Sequence, residues 1–203
     1  MFELIFKPLN YLAIKWEVEG SFSKKSFDIT IPLIVSLVLS VLLVGIEYIF
    51  SSKTTEDVNI FSSDISALLA GFLQTIPGFY IAALAAIATL TSPTMDRDMD
   101  GVAPTYQVDS IDVDGNPKKE DKDLNRRAFL ARLFSYLSFI SLIAYFSILI
   151  FRYMYKLDIL AVGQISYSVV YLICLTVFNF MLVQLMLLTF VGLYYLGQRI
   201  HEN

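Results

Sequence analysis

The sequence predicts an all-α integral membrane protein built as a four-helix transmembrane bundle, and three observations predict it. Four apolar runs each reach or exceed the about 20 residues a helix needs to cross hydrocarbon. They cover residues 29–50, 65–90, 128–151 and 166–197. The chain is 56% hydrophobic over 203 residues, with a mean hydropathy of +0.63, well above the roughly 45–50% apolar content of ordinary globular domains. Its basic residues also fall on alternate segments, as the positive-inside rule requires of a multi-pass protein.

The first 28 residues form a cytoplasmic, interfacial segment. Pro8 suits the first position of a helix, where its missing N–H costs nothing. Over residues 8–19 Leu9, Leu12, Ala13 and Trp16 would share one apolar face, with Lys15 and Glu19 toward water. The expectation is an amphipathic helix anchored on the inner leaflet. Lys7, Pro8, Asn10, Lys15, Glu17 and Glu19 interrupt the stretch too often for a secretory signal.

The loops at 51–64 and 152–165 are short and face outward. Lysines and arginines divide 12 to 3. Lys7, Lys15, Lys24, Lys25, Arg97, Lys118, Lys119, Lys122, Arg126, Arg127, Arg132 and Arg199 lie on one side, and Lys53, Arg152 and Lys156 on the other. Both termini, including the tail 198–203, and the long loop 91–127 are therefore cytoplasmic. Tyr48, Phe50, Tyr153, Tyr155, Tyr167, Tyr194 and Tyr195 near the run ends suit interfacial belts.

The loop 91–127 is the only substantial polar piece, with nine acids against six bases. Thr105 to Val113 alternates in character, and Asp114, Gly115 and Asn116 supply turn chemistry, so a small hairpin is expected there, and the loop serves as a protein-binding protrusion or as a solvated connector.

Span two is the most patterned. Ala67, Gly71, Thr75, Gly78, Ala82, Ala86 and Thr89 recur every three or four residues, a small-residue stripe of the kind that lets helices approach closely in lipid. It serves packing within the chain or a subunit interface. Pro77 removes an amide in mid-span and is a candidate hinge, with Gln74 and Thr75 polar at the same depth.

Composition excludes several function classes. A formal charge of −4 argues against direct nucleic-acid binding. The single Cys174 allows no intrachain disulfide and no cysteine-based metal site. Asp96, Asp98, Asp100 and Gly101 resemble the opening of a calcium loop, but position twelve is Gln107 and Pro104 interrupts it. No span carries paired acids, a serine with a base, or zinc ligands, and the lone His201 sits beside the C-terminus. The expectation is no catalytic residue, no cofactor, no metal and no enzyme. Asp96, Asp98, Asp100, Arg126, Arg127, Tyr194, Tyr195 and Arg199 remain as candidates for binding a cytoplasmic partner. A channel or depolarising pore lined by Gln74, Thr75, Asn179 or Gln184 is the alternative.

The chain also resembles the membrane-subunit family of the bacterial Kiwa anti-phage defence system. The resemblance rests on the four-span layout, on Gln74, Pro77, Gly78, Phe79 and Tyr80 leading into the Ala-rich half of span two, on Ser92, Pro93 and Met95 closing it, and on Arg126, Arg127, Phe129 and Leu130 opening span three. It implies a non-enzymatic inner-membrane sensor of phage infection that recruits a soluble, DNA-binding, KwaB-like effector to the cytoplasmic face. It also implies assembly into a homo-oligomer, a tetramer being one candidate size.

Overall fold

A computed structural model describes residues 2–16, 23–51, 59–93, 95–98, 103–112, 116–157 and 165–197. A short helix α1 (Phe2–Phe6) runs into a 3-10 helix (Lys7–Ala13). A π-type turn (Ser26–Thr30) leads into α2 (Ile31–Ser51), followed by α3 (Asp64–Thr89), an antiparallel hairpin of β1 (Thr105–Ile111) and β2 (Pro117–Asp123), and the long helices α4 (Arg126–Lys156) and α5 (Ile165–Gly197). Among the described residues, four helices are long and apolar enough to cross a membrane: Ser26–Phe50, Asp64–Thr89, Arg126–Lys156 and Tyr167–Gly197. The fold is an all-α four-helix bundle carrying one two-stranded sheet, and the chain is a multi-pass membrane protein.

The sidedness of the helices supports the same conclusion by a route independent of length. On α2 the buried positions are Pro32, Ser36 and Ser40, four residues apart, while Leu33, Ile34, Leu37, Val38, Val41, Leu42 and Ile46 are exposed. In water such a helix would be inside out. In hydrocarbon it is the expected arrangement, because small polar residues gain hydrogen bonds only against other helices, whereas leucine is equally content against lipid.

The chain divides into two compact units. The hairpin unit comprises residues 1–30, 80–137 and 188–203; the second comprises 31–79 and 138–187. The core of the hairpin unit is aromatic. Tyr11 stacks on Tyr136 at 5.2 Å and meets Phe129 at 6.1 Å, and Trp16 packs edge-on to Phe129 at 5.3 Å. Gly192 on α5 is buried where a Cβ would lie 2.9 Å from the Phe134 ring of α4, so only glycine allows that approach. The second unit is centred on Phe61, which touches Phe151, Tyr155, Tyr171 and Phe178 with centroids 5.2–6.1 Å apart.

The N-terminal expectation needs correction. The helix that holds Pro8 is a 3-10 helix, Lys7–Ala13, which Ile14, Lys15 and Trp16 do not continue, and residues 17–19 of the expected helix lie outside the described residues. Ile14 is extended, and Lys15 exchanges both backbone hydrogen bonds with Thr105 at 2.9 Å, which draws the chain out of the helix and beside β1. Tyr11 and Ile14, three residues apart as a tighter helix requires, bury fully. Ala13 is exposed, and Leu9, Leu12 and Trp16 are half-buried.

The stripe on α3 faces away from its own chain. Ala67, Gly71, Thr75, Gly78, Ala82, Ala86 and Thr89 are all exposed, and no atom lies within 4 Å of a Cβ built on Gly71 or Gly78. The buried face is Ser66, Ala70, Leu73, Pro77, Tyr80 and Ile87 instead. None of the seven stripe residues is buried against the described residues of the chain.

Candidate functional site

The hairpin expected in the polar loop is present, and its attachment makes it a candidate site. Seven residue pairs join β1 to β2, from Thr105 opposite Asp123 to Ile111 opposite Pro117. The base is fastened by backbone bonds from Leu124 N–H to the Pro104 carbonyl at 2.9 Å and by the Lys15–Thr105 pair. The Arg132 guanidinium lies 3.7 Å from the centroid of the Tyr106 ring, a cation–π contact between α4 and β1. Lys15 also sits 3.6 Å from the Asp121 carboxylate in an exposed pair, worth little by itself. Residues 118–123 of β2 are all exposed and read Lys-Lys-Glu-Asp-Lys-Asp. Mixed charge along an open strand also blocks edge-to-edge aggregation.

The partner-binding candidates separate into groups. Arg127 donates from Nε to Asp96 Oδ1 at 2.7 Å and from Nη2 to Oδ2 at 3.1 Å, while Nη1 donates to the Ile87 carbonyl at 2.7 Å in the last turn of α3. The guanidinium thus clamps the end of α3 to the segment that follows it. These donors hold the exposed Asp96 carboxyl below the usual carboxylate range. The backbone around it is paired as well, with Arg127 N–H bonded to the Met95 carbonyl, Arg126 N–H to the Arg97 carbonyl, and Asp98 bridging to Asn125. Asp96 is therefore committed to an arginine rather than open to a cation. Asp100 and Gly101, which the calcium-loop reading needs, lie outside the described residues, as do Arg199, His201 and the Asp114–Gly115 turn. Tyr195 packs against Trp16 at 5.8 Å and Phe129 at 5.8 Å, whereas Tyr194 is exposed.

Sequence reasoning missed an ionic centre. Lys24 and Asp28, one turn apart, form a salt bridge with side chains only 6% and 3% exposed. Lys24 Nζ also donates to the Tyr11 carbonyl at 3.0 Å and lies 3.9 Å from the centroid of the Tyr11 ring. Burial pulls the Lys24 ammonium below its ordinary pKa, and the Asp28 carboxylate partly restores it. Burial likewise pushes the Tyr11 phenol well up. The available signal was a lysine four residues before an aspartate at the head of the first apolar run.

In the second unit hydroxyls and amides hydrogen-bond to one another and to the Glu47 carboxylate. Tyr171 donates its hydroxyl proton to Glu47 Oε1 at 2.7 Å and accepts from the Ile60 amide at 3.1 Å, and Asn59 Nδ2 donates to the Tyr167 hydroxyl at 3.1 Å. Asn179 Nδ2 donates to Ser40 Oγ at 2.9 Å, and Ser40 donates onward to the Ser36 carbonyl at 2.7 Å. Of the pore candidates, Asn179 and Gln184 are buried while Gln74 and Thr75 are exposed, with the Thr75 hydroxyl turned back to the Phe72 carbonyl at 2.9 Å. The four do not line one surface of the chain.

No protein-family model matches this sequence, no curated protein matches it, and no solved structure matches its fold.

Proposed function

We propose that this chain is a non-enzymatic sensor and scaffold of the bacterial inner membrane, with both termini and the hairpin in the cytoplasm. In keeping with its resemblance to the Kiwa membrane subunit, it acts in anti-phage defence by recruiting a soluble DNA-binding effector. The observation that carries this reading is the attachment of the hairpin. A mere connector between two helices needs no stitched base, no cation–π contact and no neighbouring chain segment laid along its first strand. Such fastening suits a surface that must transmit force or position between spans and partner. The exposed small-residue stripe on α3 supports assembly with further copies of the chain, since glycine faces that meet nothing within one chain allow close helix approach in lipid.

The test is purification of the tagged chain from its own host in mild detergent, followed by native mass measurement. A stoichiometric soluble DNA-binding protein is expected to co-purify, and to be lost when Lys118, Lys119 and Lys122 are changed to Glu. A bare oligomer, or a partner indifferent to those substitutions, would overturn the docking role of the hairpin.

A further inference from the structure

Beside the Lys24–Asp28 pair lies a cavity of about 510 Å³ that the proposed signalling role does not use. Its walls come from three parts of the hairpin unit: the end of the 3-10 helix and the extended residues after it, the head of the first span, and the approach to β1. Leu12, Ile14, Trp16 and Ile29 give it an apolar lining. Lys15, Lys24, Lys25, Ser23 and Thr105 add a polar, basic side with no acid among the described lining residues. The frame is held by backbone bonds on two sides, Lys15 with Thr105 and Lys24 N–H with the Trp16 carbonyl at 3.2 Å, so the space is formed before anything enters it.

We propose that this cavity binds one anionic phospholipid, its phosphate held by Lys15 and Lys25 with the hydroxyls of Ser23 and Thr105, and its glycerol and upper acyl carbons against Leu12, Trp16 and Ile29. The charge distribution selects the two lysines. Lys24 is compensated by Asp28 and by the Tyr11 carbonyl. Among the described residues the Lys15 ammonium meets an acid in an exposed 3.6 Å contact to Asp121, which a phosphate can replace at little cost. Position selects a lipid over a soluble anion. The cavity adjoins Ser26, where the first membrane-spanning helix begins, and tryptophan characteristically sits at headgroup depth. Basic pockets at that level are where lipid phosphates are held, and the volume is in the range of small-molecule sites. The shared chemistry is a phosphate ester, which a water-soluble glycerol phosphate would also offer.

Trp16 is the only tryptophan in the chain and lines the cavity, so its fluorescence reports occupancy directly. The full-length protein is placed in phosphatidylcholine nanodiscs containing increasing brominated phosphatidylglycerol or, in parallel, brominated phosphatidylcholine. Half-maximal quenching is expected at a roughly thirty-fold lower fraction of the anionic lipid, the preference two surface lysines give. The Lys15→Gln, Lys25→Gln double variant should lose that preference, while Lys118→Gln, Lys119→Gln on β2, with the same charge change outside the cavity, should keep it. Equal quenching by both lipids, or equal loss in the two double variants, would overturn the site. Relief of quenching by ~1 mM glycerol phosphate would overturn the lipid assignment in favour of a soluble ester.

Discussion

Replacing Asp28 by Asn tests how the head of the first span tolerates charge. The substitution keeps the shape of the side chain but strips Lys24 of its countercharge in a site where its side chain is 6% exposed. Removing one partner of a buried pair costs about 3–5 kcal/mol, because the remaining ion is left in low dielectric. Lys24 has an escape, which is to deprotonate. Neutralising an ordinary lysine at pH 7 costs about 1.4 kcal/mol per pH unit over roughly 3.4 units, so the loss is capped near ~4.6 kcal/mol. Burial has already lowered the Lys24 pKa in the native protein, so the expected loss falls below that cap.

The pH dependence has a definite sign. A lysine whose folded pKa lies below its unfolded value leaves the unfolded chain binding more protons between the two, so stability rises with pH across that window and levels off above the unfolded pKa. Asp28→Asn should widen the window downward, and its deficit relative to the native chain should shrink as pH is raised from 7 toward 10. The assay is thermal or denaturant unfolding in one detergent across that range, with Lys24→Met, Asp28→Leu as the partner variant. That double variant should lie within ~1 kcal/mol of the native chain, since an apolar pair pays no desolvation. A deficit in Asp28→Asn that is flat with pH, or a double variant as unstable as the single one, would refute the reasoning.

Three further outcomes follow from the packing. Gly192→Val should lower stability by about 1–3 kcal/mol, because its Cβ meets the Phe134 ring at 2.9 Å; Gly71→Val, with nothing within 4 Å, should leave unfolding unchanged yet lower the native mass of the assembly, and unaltered mass would remove the stripe from the subunit interface. Tyr171→Phe removes the hydroxyl that donates to the Glu47 carboxylate and accepts from the Ile60 amide, leaving those two bonded only to each other, and should cost about 1–3 kcal/mol by thermal shift, more than Tyr167→Phe, whose hydroxyl meets Asn59; equal losses would contradict the assignment. Pro77→Leu returns an amide to the buried middle of α3 and, under the proposed sensor function, should abolish the response to phage while assembly stays normal; retained signalling would take the hinge out of the proposed mechanism.

Run length and hydropathy were enough to read four spans from the sequence to within a few residues, because a bilayer imposes one length scale on any helix that crosses it. The hairpin was legible for a local reason: alternation followed by turn residues needs no knowledge of the rest of the chain. The polar contacts were not legible. Asn179 reaches Ser40 across 139 positions and Tyr171 reaches Glu47 across 124, and no local pattern encodes such pairings. The N-terminal helix was misjudged for a related reason. Its residues have fair helical spacing, and what ends the helix is a backbone partner at Thr105, ninety positions away from Lys15. Arg127 was legible as a charge near a span and not as a clamp, since its roles depend on Asp96 and on the Ile87 carbonyl arriving together.

The stripe on α3 and the serines on α2 follow one rule, and the rule distinguishes their roles. In lipid, a small or polar residue is placed where it meets another helix, because an apolar side chain gains nothing there by leaving the solvent. Ser36 and Ser40 obey it within the chain: both are fully buried, and Ser40 accepts from Asn179. Gly71, Gly78, Ala82 and Ala86 have the same character and yet meet no part of their own chain closely enough to be buried. Lipid gives such a face no advantage over leucine, which neighbouring exposed positions such as Leu68 and Phe72 already use. Contacts within the chain fix α2, whereas under the proposed assembly the exposed stripe on α3 receives a helix supplied by another copy. Substitutions on the two should separate cleanly, Ser40→Leu acting on the unfolding of one chain and Gly78→Leu acting on the number of chains in the complex.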